Sequence, residues 1–263
     1  MKIKKFKISI FLIFAVLSIS SLLLFACEAK EEPKETPENN NGEINSESQT
    51  QDDKNDENEI IPEDANTKLY YQGHASIRIM SKDGTVIYID PCEGDGYDIP
   101  ADIILVTHQH SDHNKVSLVT QKDSCEVISN KEALENGEHN TLTVKGIEIE
   151  AVKAENSNHN PKDCVGYIIT VDGIKIYHAG DTSKTDEMAE YKAKSIDYAL
   201  LPCDGVYNMD AAEAAECAEI IGAKHNIPIH TKVGELFNSD IAESFDAPDR
   251  LIVEAGEEII LTK

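Results

Sequence analysis

From residue 68 onward the chain reads as short apolar or alternating runs separated by turn residues, and before residue 68 it does not. The runs predict strands over 69–74, 76–80 and 85–91, the last two joined by a hairpin turn at Asp83-Gly84. The continuous apolar run 102–107 predicts a strand buried on both faces. Further strands are expected over 126–129, 141–144, 147–152, 165–171 and 174–178, with a turn at Asp172-Gly173, and then over 198–202, 227–229, 251–253 and 259–261. Helical spacing is sparser: it fits 113–122, 184–192 and a short stretch at 240–245, while Asp210 caps the alanine- and glutamate-rich run 211–221. Strand-rich halves with interspersed helices predict an α+β fold in which two packed sheets are covered by helices.

The residues before 68 have a different logic. Lys2, Lys4, Lys5 and Lys7 precede an apolar run over 8–26 that ends in Leu24-Phe25-Ala26-Cys27. A basic start, an apolar centre and a small residue before cysteine describe a secretory signal over 1–27. The last four residues resemble a bacterial lipobox, which implies that Cys27 is lipidated and anchors an exported protein to the outer face of the cytoplasmic membrane. The alternative is an uncleaved anchor helix, since the apolar run is nearly long enough to span a bilayer. Residues 28–67 hold 14 acids against 3 lysines and almost nothing to bury, so they are expected to be a disordered, self-repelling tether.

Charge narrows the partners. The chain carries 49 acids against 24 bases, a formal net charge of -25, and 68–263 keeps 35 against 17. Such a surface repels phosphate backbones, which argues against a nucleic-acid partner. With Cys27 assigned to lipid, Cys92, Cys125, Cys164, Cys203 and Cys217 remain. An odd count without any Cys-x-x-Cys pair favours buried free thiols, with one or two disulfides as the alternative.

Candidate chemistry concentrates in Thr107-His-Gln-His-Ser-Asp-His113, at the end of the buried run. Alternate residues leaving a strand point the same way, so His108 and His110 can grip one cation, while Asp112 and His113 in the turn beyond can reach a second. Imidazoles with a carboxylate suit zinc.

This segment resembles the metallo-β-lactamase superfamily of metal-dependent hydrolases, which implies a four-layer αββα sandwich over 68–263. The later matching positions are His159 in Asn156-Ser-Asn-His-Asn-Pro161, Asp181 in Tyr177-His-Ala-Gly-Asp-Thr182 and His230 in Ile227-Pro-Ile-His-Thr231. The resemblance implies that His108, His110 and His159 hold one metal and that Asp112, His113 and His230 hold another. Asp181 would bridge two divalent ions, zinc or alternatively manganese, that share an attacking hydroxide, with Asp112 as the catalytic residue that orients it. Asp90, before Pro91, matches the family's first acidic motif as a group behind the ligands. Gly73-His-Ala-Ser76, Leu200-Leu-Pro202 and Met209-Asp-Ala-Ala-Glu-Ala-Ala215 are similar to the branch that includes L-ascorbate 6-phosphate lactonase-like proteins. Cys203-Asp204 and Thr231 depart from that branch where substrate contacts are expected.

Other polar residues keep two readings. His74 and His178 are either satisfied buried histidines or contacts to the ligands or substrate, and His139 and His225 read as exposed. Cys92 and Cys203 are conceivable soft ligands, although harder donors suffice. The implied activity is hydrolysis of an ester, lactone or related bond in an extracytoplasmic small molecule. A phosphodiester and then a β-lactam are the alternatives on the same centre, and a non-catalytic ligand- or metal-binding surface lipoprotein is the alternative of another class. Flavodiiron proteins carry Glu at the position of His110, which argues against a di-iron redox site.

Cys27→Ser is expected to abolish incorporation of labelled fatty acid and to leave the precursor uncleaved or released. Wild-type protein recovered only from the soluble cytoplasmic fraction would contradict the anchor.

Overall fold

The computed structural model describes residues 65–263, all within the unit Glu57–Lys263. The expected signal segment, Cys27 and nearly all of the expected tether lie outside the described residues. Strands β1 (Lys68–Gly73), β2 (Ser76–Met80), β3 (Val86–Ile89), β4 (Ala101–Val106) and β5 (Gln121–Ser129) lead through a short helix α1 (Asn130–Ala133) to the small hairpin β6 (Leu134–Glu135) and β7 (Glu138–His139). Then come β8 (Thr141–Val144), β9 (Ile147–Lys153), β10 (Val165–Val171), β11 (Ile174–His178), α2 (Met188–Tyr191), β12 (Tyr198–Pro202), α3 (Ala211–Ile221), β13 (His225–Ile229), α4 (Ser239–Ser244) and β14 (Glu258–Ile260).

Two six-stranded sheets result, in the orders β14-β1-β2-β3-β4-β5 and β13-β12-β11-β10-β9-β8. The strands β3, β4 and β5 are parallel, as are β11, β12 and β13, while the other neighbours are antiparallel. The second half of the fold thus repeats the first.

Strand periodicity explains the layers. Ile87, Ile89, Ile103 and Leu105 of the first sheet share one core with Ile149, Tyr167, Ile169, Ile176 and Leu200 of the second. Alternate residues face outward: Tyr177, Ala199 and Leu201 lie under Met188 and Tyr191 of α2, Phe245 just after α4, and the stripe Ala214, Cys217, Ala218 and Ile221 of α3. That stripe has helical spacing. On the first sheet's outer face, Tyr88, Ile104 and Val106 are covered by Val119 and by Tyr97, Ile99 and Val116. The sheets are flanked as the αββα sandwich requires, with a thinner cover over the first.

Some elements differ from expectation. Residues 113–122 are not a helix: a single 3-10 turn at Val116–Leu118 precedes β5, which already starts at Gln121. Val116 and Val119 bury into the sheet face from a turn, and residues 121–124 of the strand are exposed, so no apolar alternation marks them. The helix expected over 184–192 is reduced to α2 and a 3-10 turn at Lys192–Lys194. Residues 251–253 form no strand; Leu251 N–H meets the Asn226 carbonyl at 2.9 Å beside one isolated bridge. All five cysteines of the described residues are free thiols, as expected.

The sheets are joined where the parallel strands end. Val165 N–H donates to the Thr107 carbonyl at 3.0 Å and the Tyr167 hydroxyl to the Val106 carbonyl at 3.0 Å. Gly180 sits in this seam with φ 62°, and a Cβ there would lie 2.8 Å from the Val165 carbonyl oxygen and 3.1 Å from Thr107 Cβ. Gly180→Ala is therefore expected to destabilise the domain by about 1–3 kcal/mol through overpacking, added to the backbone strain of positive φ. Gly84→Ala in the open hairpin, with nothing within 4 Å, should carry the strain alone. Urea midpoints of the two variants measure the difference, and equal midpoints would contradict it.

Candidate metal centre

The parallel strands β3, β4, β11, β12 and β13 deliver Asp90, His108, Asp181, Asp204 and His230 just past their ends, and the loop between β9 and β10 supplies His159. Asp90 is fully buried and has a left-handed backbone, φ 48°. Its Oδ1 accepts from Thr107 N–H at 2.7 Å, and its Oδ2 accepts from the Thr107 hydroxyl at 2.7 Å and from His113 Nδ1 at 2.8 Å. Because the Thr107 hydrogen is committed to Asp90, Thr107 Oγ1 accepts from His108 Nδ1 at 3.0 Å. His159 Nδ1 is held by Asn156 Oδ1 at 2.9 Å, and His230 Nδ1 lies 3.1 Å from Asp204 Oδ2. Three imidazoles, those of His108, His113 and His159, are thus held by hydrogen bonds at Nδ1, while His230 Nδ1 is within ion-pair distance of Asp204 without a hydrogen bond; all four turn Nε2 into one space.

Asp181 stands in that space. Its Oδ1 is 3.3 Å from His113 Nε2 and 3.7 Å from His230 Nε2, while its Oδ2 is 3.4 Å from His159 Nε2. His110 Nδ1 approaches His159 Nε2 at 3.2 Å. The buried atoms His108 Nε2, His113 Nε2, His230 Nε2 and Asp181 Oδ1 have no hydrogen-bond partner. Each buried polar atom left so costs about 1–3 kcal/mol. Converging imidazole lone pairs and a carboxylate are the donor set that a zinc-like cation satisfies.

The ligand atoms of His108, His110 and His159 lie within 4.8 Å of one another, as do those of His74, Asp112, His113 and His230, and those of His108, His113 and Asp181. The structure therefore brings the expected ligands close together, with His74 beside them, and the His108, His113 and Asp181 group links the other two. That residue, with φ 57°, is pinned by its N–H to the Leu236 carbonyl at 2.6 Å, and its own carbonyl accepts from His230 N–H at 2.7 Å and the Tyr71 hydroxyl at 2.8 Å. Its ring lies 3.6 Å from that of His230, and Nε2 is 3.3 Å from Asp112 Oδ2.

His178 is a different case. Its Nε2 donates to the Ala75 carbonyl at 2.7 Å and its Nδ1 accepts from Gly180 N–H at 3.3 Å, which ties β11 to the turn after β1. It is a satisfied buried histidine and contacts no ligand. His139 is exposed, but His225, expected to be exposed, is half-buried against the Tyr198 ring at 4.9 Å, because it opens β13 beside β12. Cys92 and Cys203 belong to none of the clusters, and burial pushes their thiols up to about 11 and about 12.

Electrostatics follow from burial and neighbours. Burial, with His113 nearby, pushes His108 down to about 3, and burial likewise lowers His159, so both stay neutral. Burial also opposes charge on His113, but Asp181 and Asp90 outweigh it and lift the imidazole to about 9. A proton there supplies the positive charge that a cation would otherwise supply between the two acids. Burial opposes charge on Asp181 too, yet His113 and His230 hold it well below the usual carboxylate range. The His74 hydrogen bond does the same for Asp112.

Asp204, expected where substrate is contacted, lies behind His230 instead. Its carboxylate turns inward, accepts from the N–H groups of Val206 and Tyr207 at 2.7 Å each and from Asn208 Nδ2 at 2.8 Å, and steadies His230. Burial would raise its pKa, but His230 and the loop N–H groups bring it to about 2. The available signal was its place: an acid just past a strand end, like Asp90 and Asp181.

Residues 68–230 match the model of the beta-lactamase superfamily domain. A UPF0173 metal-dependent hydrolase of Thermococcus kodakarensis is 31% identical over 225 residues, covering 74% of this chain and 99% of the relative. The chain belongs to the metallo-β-lactamase superfamily, in the UPF0173 metal-dependent hydrolase family. Another UPF0173 hydrolase, of Nitratidesulfovibrio vulgaris, is 32% identical over 193 residues, with 62% of this chain and 80% of the relative covered. A solved structure described as a metal-dependent hydrolase of Parabacteroides distasonis has 30% identity and a TM-score of 0.61, covering 72% of this chain and 93% of that one. The superfamily match takes in every cluster residue from His74 to His230.

In this UPF0173 chain, Asp204→Asn is expected to lower zinc affinity about 10–100-fold, because the amide can no longer anchor and polarise His230 as a carboxylate does. Competition with a chromogenic chelator measures it. Unchanged affinity would show that His230 needs no acid behind it.

Proposed function

We propose that the protein is an exported, lipid-anchored hydrolase that opens an ester or lactone in a small molecule. Metal-dependent hydrolysis is the class of its family. The observation that carries the reading is that the converging donors border a cavity of about 200 Å³ lined by His110, Asp112, Asn158, His159, Asp181, Tyr207 and His230. A structural metal site is closed, whereas a catalytic one keeps room for water and substrate.

His108, His110 and His159 would hold one divalent cation and Asp112, His113 and His230 the other, with Asp181 serving both; zinc is the first candidate and manganese the second. When bound, the pair supplies a Lewis acid for the scissile group and a nucleophile at neutral pH. Asp112, half-exposed and braced by His74, orients the attacking water. Asp90, Thr107, Asn156 and Asp204 keep the imidazoles from turning, so the site needs little reorganisation in the transition state. Asn158 and Tyr207 are placed to touch substrate at the cavity wall. The preference for an ester or lactone rests on the lactonase-like motifs, and the location outside the cytoplasm on the lysine-rich start, the apolar run and Cys27.

Asp181→Ala should reduce bound metal from two equivalents to one or none and lower ester or lactone hydrolysis by several orders of magnitude, whereas His139→Ala, outside the clusters, should change neither. Elemental analysis after dialysis, with turnover of a lactone and ester panel, decides it. Equal metal content in all three proteins would mean that the assigned ligands are wrong.

A further inference from the structure

A second cavity, of about 440 Å³, adjoins the metal centre and shares His108, His110, Asn158 and His159 with the clusters and the cavity just described. Lys131 and Lys162 stand on its walls. The domain is strongly acidic, and nine lysines among the described residues pair with a carboxylate, as Lys115 does with Glu93, Lys122 with Asp102 and Lys184 with Glu216. Among the described residues, neither Lys131 nor Lys162 has a carboxylate within ion-pair distance. The acid next to Lys131, Glu132, is turned to Ser129, accepting from its N–H at 2.8 Å and its hydroxyl at 2.6 Å, and feels the Lys131 charge without pairing to it. Asp163 is the one carboxylate on the cavity wall, against the two lysines.

The walls are held in place by the elements that hold the ligands. Asn130, which is buried, accepts from Gln109 Nε2 at 2.8 Å and donates through Nδ2 to the Asp163 carbonyl at 2.9 Å, joining the histidine turn to the loop that carries His159. In that loop Asn160 Oδ1 accepts from Lys162 N–H at 3.0 Å, fixing the backbone from which Lys162 projects. Two unpaired ammonium groups on a braced wall beside a hydrolytic centre attract an anion and orient what is attached to it.

We infer that Lys131 and Lys162 form an anion-binding subsite, and that the substrate carries a carboxylate or phosphate group in addition to the bond that is cleaved. The inference rests on the hydrolase reading for the word substrate, but not for the anion site itself.

The test uses the full-length, zinc-loaded protein and two esters with one leaving group: p-nitrophenyl butyrate, which is neutral, and mono-p-nitrophenyl glutarate, which carries a carboxylate. Wild type should prefer the glutarate ester by about tenfold or more in kcat/KM, the effect of one or two charge-assisted contacts. Lys131→Ala/Lys162→Ala should erase the preference, Lys131→Arg/Lys162→Arg should retain most of it, and Lys82→Ala, on a distant hairpin, should leave it intact. Equal rates on the two esters in wild type, or a preference that survives in the double alanine variant, would overturn the inference. Calorimetric titration with glutarate, and separately with glycerol 3-phosphate, provides a readout without turnover and separates carboxylate from phosphate. Binding of either that weakens about tenfold in the double alanine variant supports the subsite, and binding of both that does not weaken refutes it. If neither ester is cleaved, the ester reading fails while the titration still decides the anion site.

Discussion

One buried carboxylate, that of Asp90, orders the metal centre. Through Thr107 it sets the tautomer of His108, and directly it sets that of His113, so a single acid aims two imidazoles into the cluster of metal-binding donors. Its pKa is held down although burial opposes the charge, because His113 lies against it and His178 and His108 are near. Uncharged, it would lose the charge that strengthens the three hydrogen bonds it accepts. The arrangement thus couples the ionisation of a buried acid to the orientation of two imidazoles.

The architecture explains why such coupling is possible. Both halves of the fold end in three parallel strands, and the loops past those strands converge where the sheets are sewn together by bonds such as Val165 to Thr107 and His230 to His74. Asp90 past β3 and Asp204 past β12 hold corresponding places in opposite halves: Asp90 accepts from His113 Nδ1 and Asp204 lies 3.1 Å from His230 Nδ1, and the Nε2 of each imidazole faces Asp181. The centre is a product of the sheet-to-sheet seam, so strain introduced at Gly180 is felt by both the core and the ligands.

The strands were legible in the sequence because burial on one or both faces leaves a period that can be counted. Of the candidate site, His108, His110, Asp112 and His113 were legible as one short run of chain, while His159, Asp181 and His230 lie far apart in sequence and were picked out only by resemblance to the family. What escaped detection had no local signature. The first part of β5 is polar and belongs to a sheet edge, Val116 and Val119 mimic helical spacing from a turn, and residues 251–253 are apolar for packing rather than pairing. Asp204 and His74 acquire their roles only when β12 and the turn after β1 meet β13. His178 could not be told from His74 by composition, since the difference is whether a carbonyl such as that of Ala75 is within reach.

Three residues of the centre, His74, Asp90 and His230, occupy left-handed backbone, at φ 57°, 48° and 47°. An L-residue held there costs of order 1–3 kcal/mol and persists because surrounding bonds over-determine it. Selection for folding alone would accept glycine at each position and relax that strain, yet glycine would delete an imidazole or the acid behind two of them. The centre therefore marks where stability and activity pull the sequence in opposite directions. A population of this chain drifting without its substrate should lose these three side chains early while keeping its sheets.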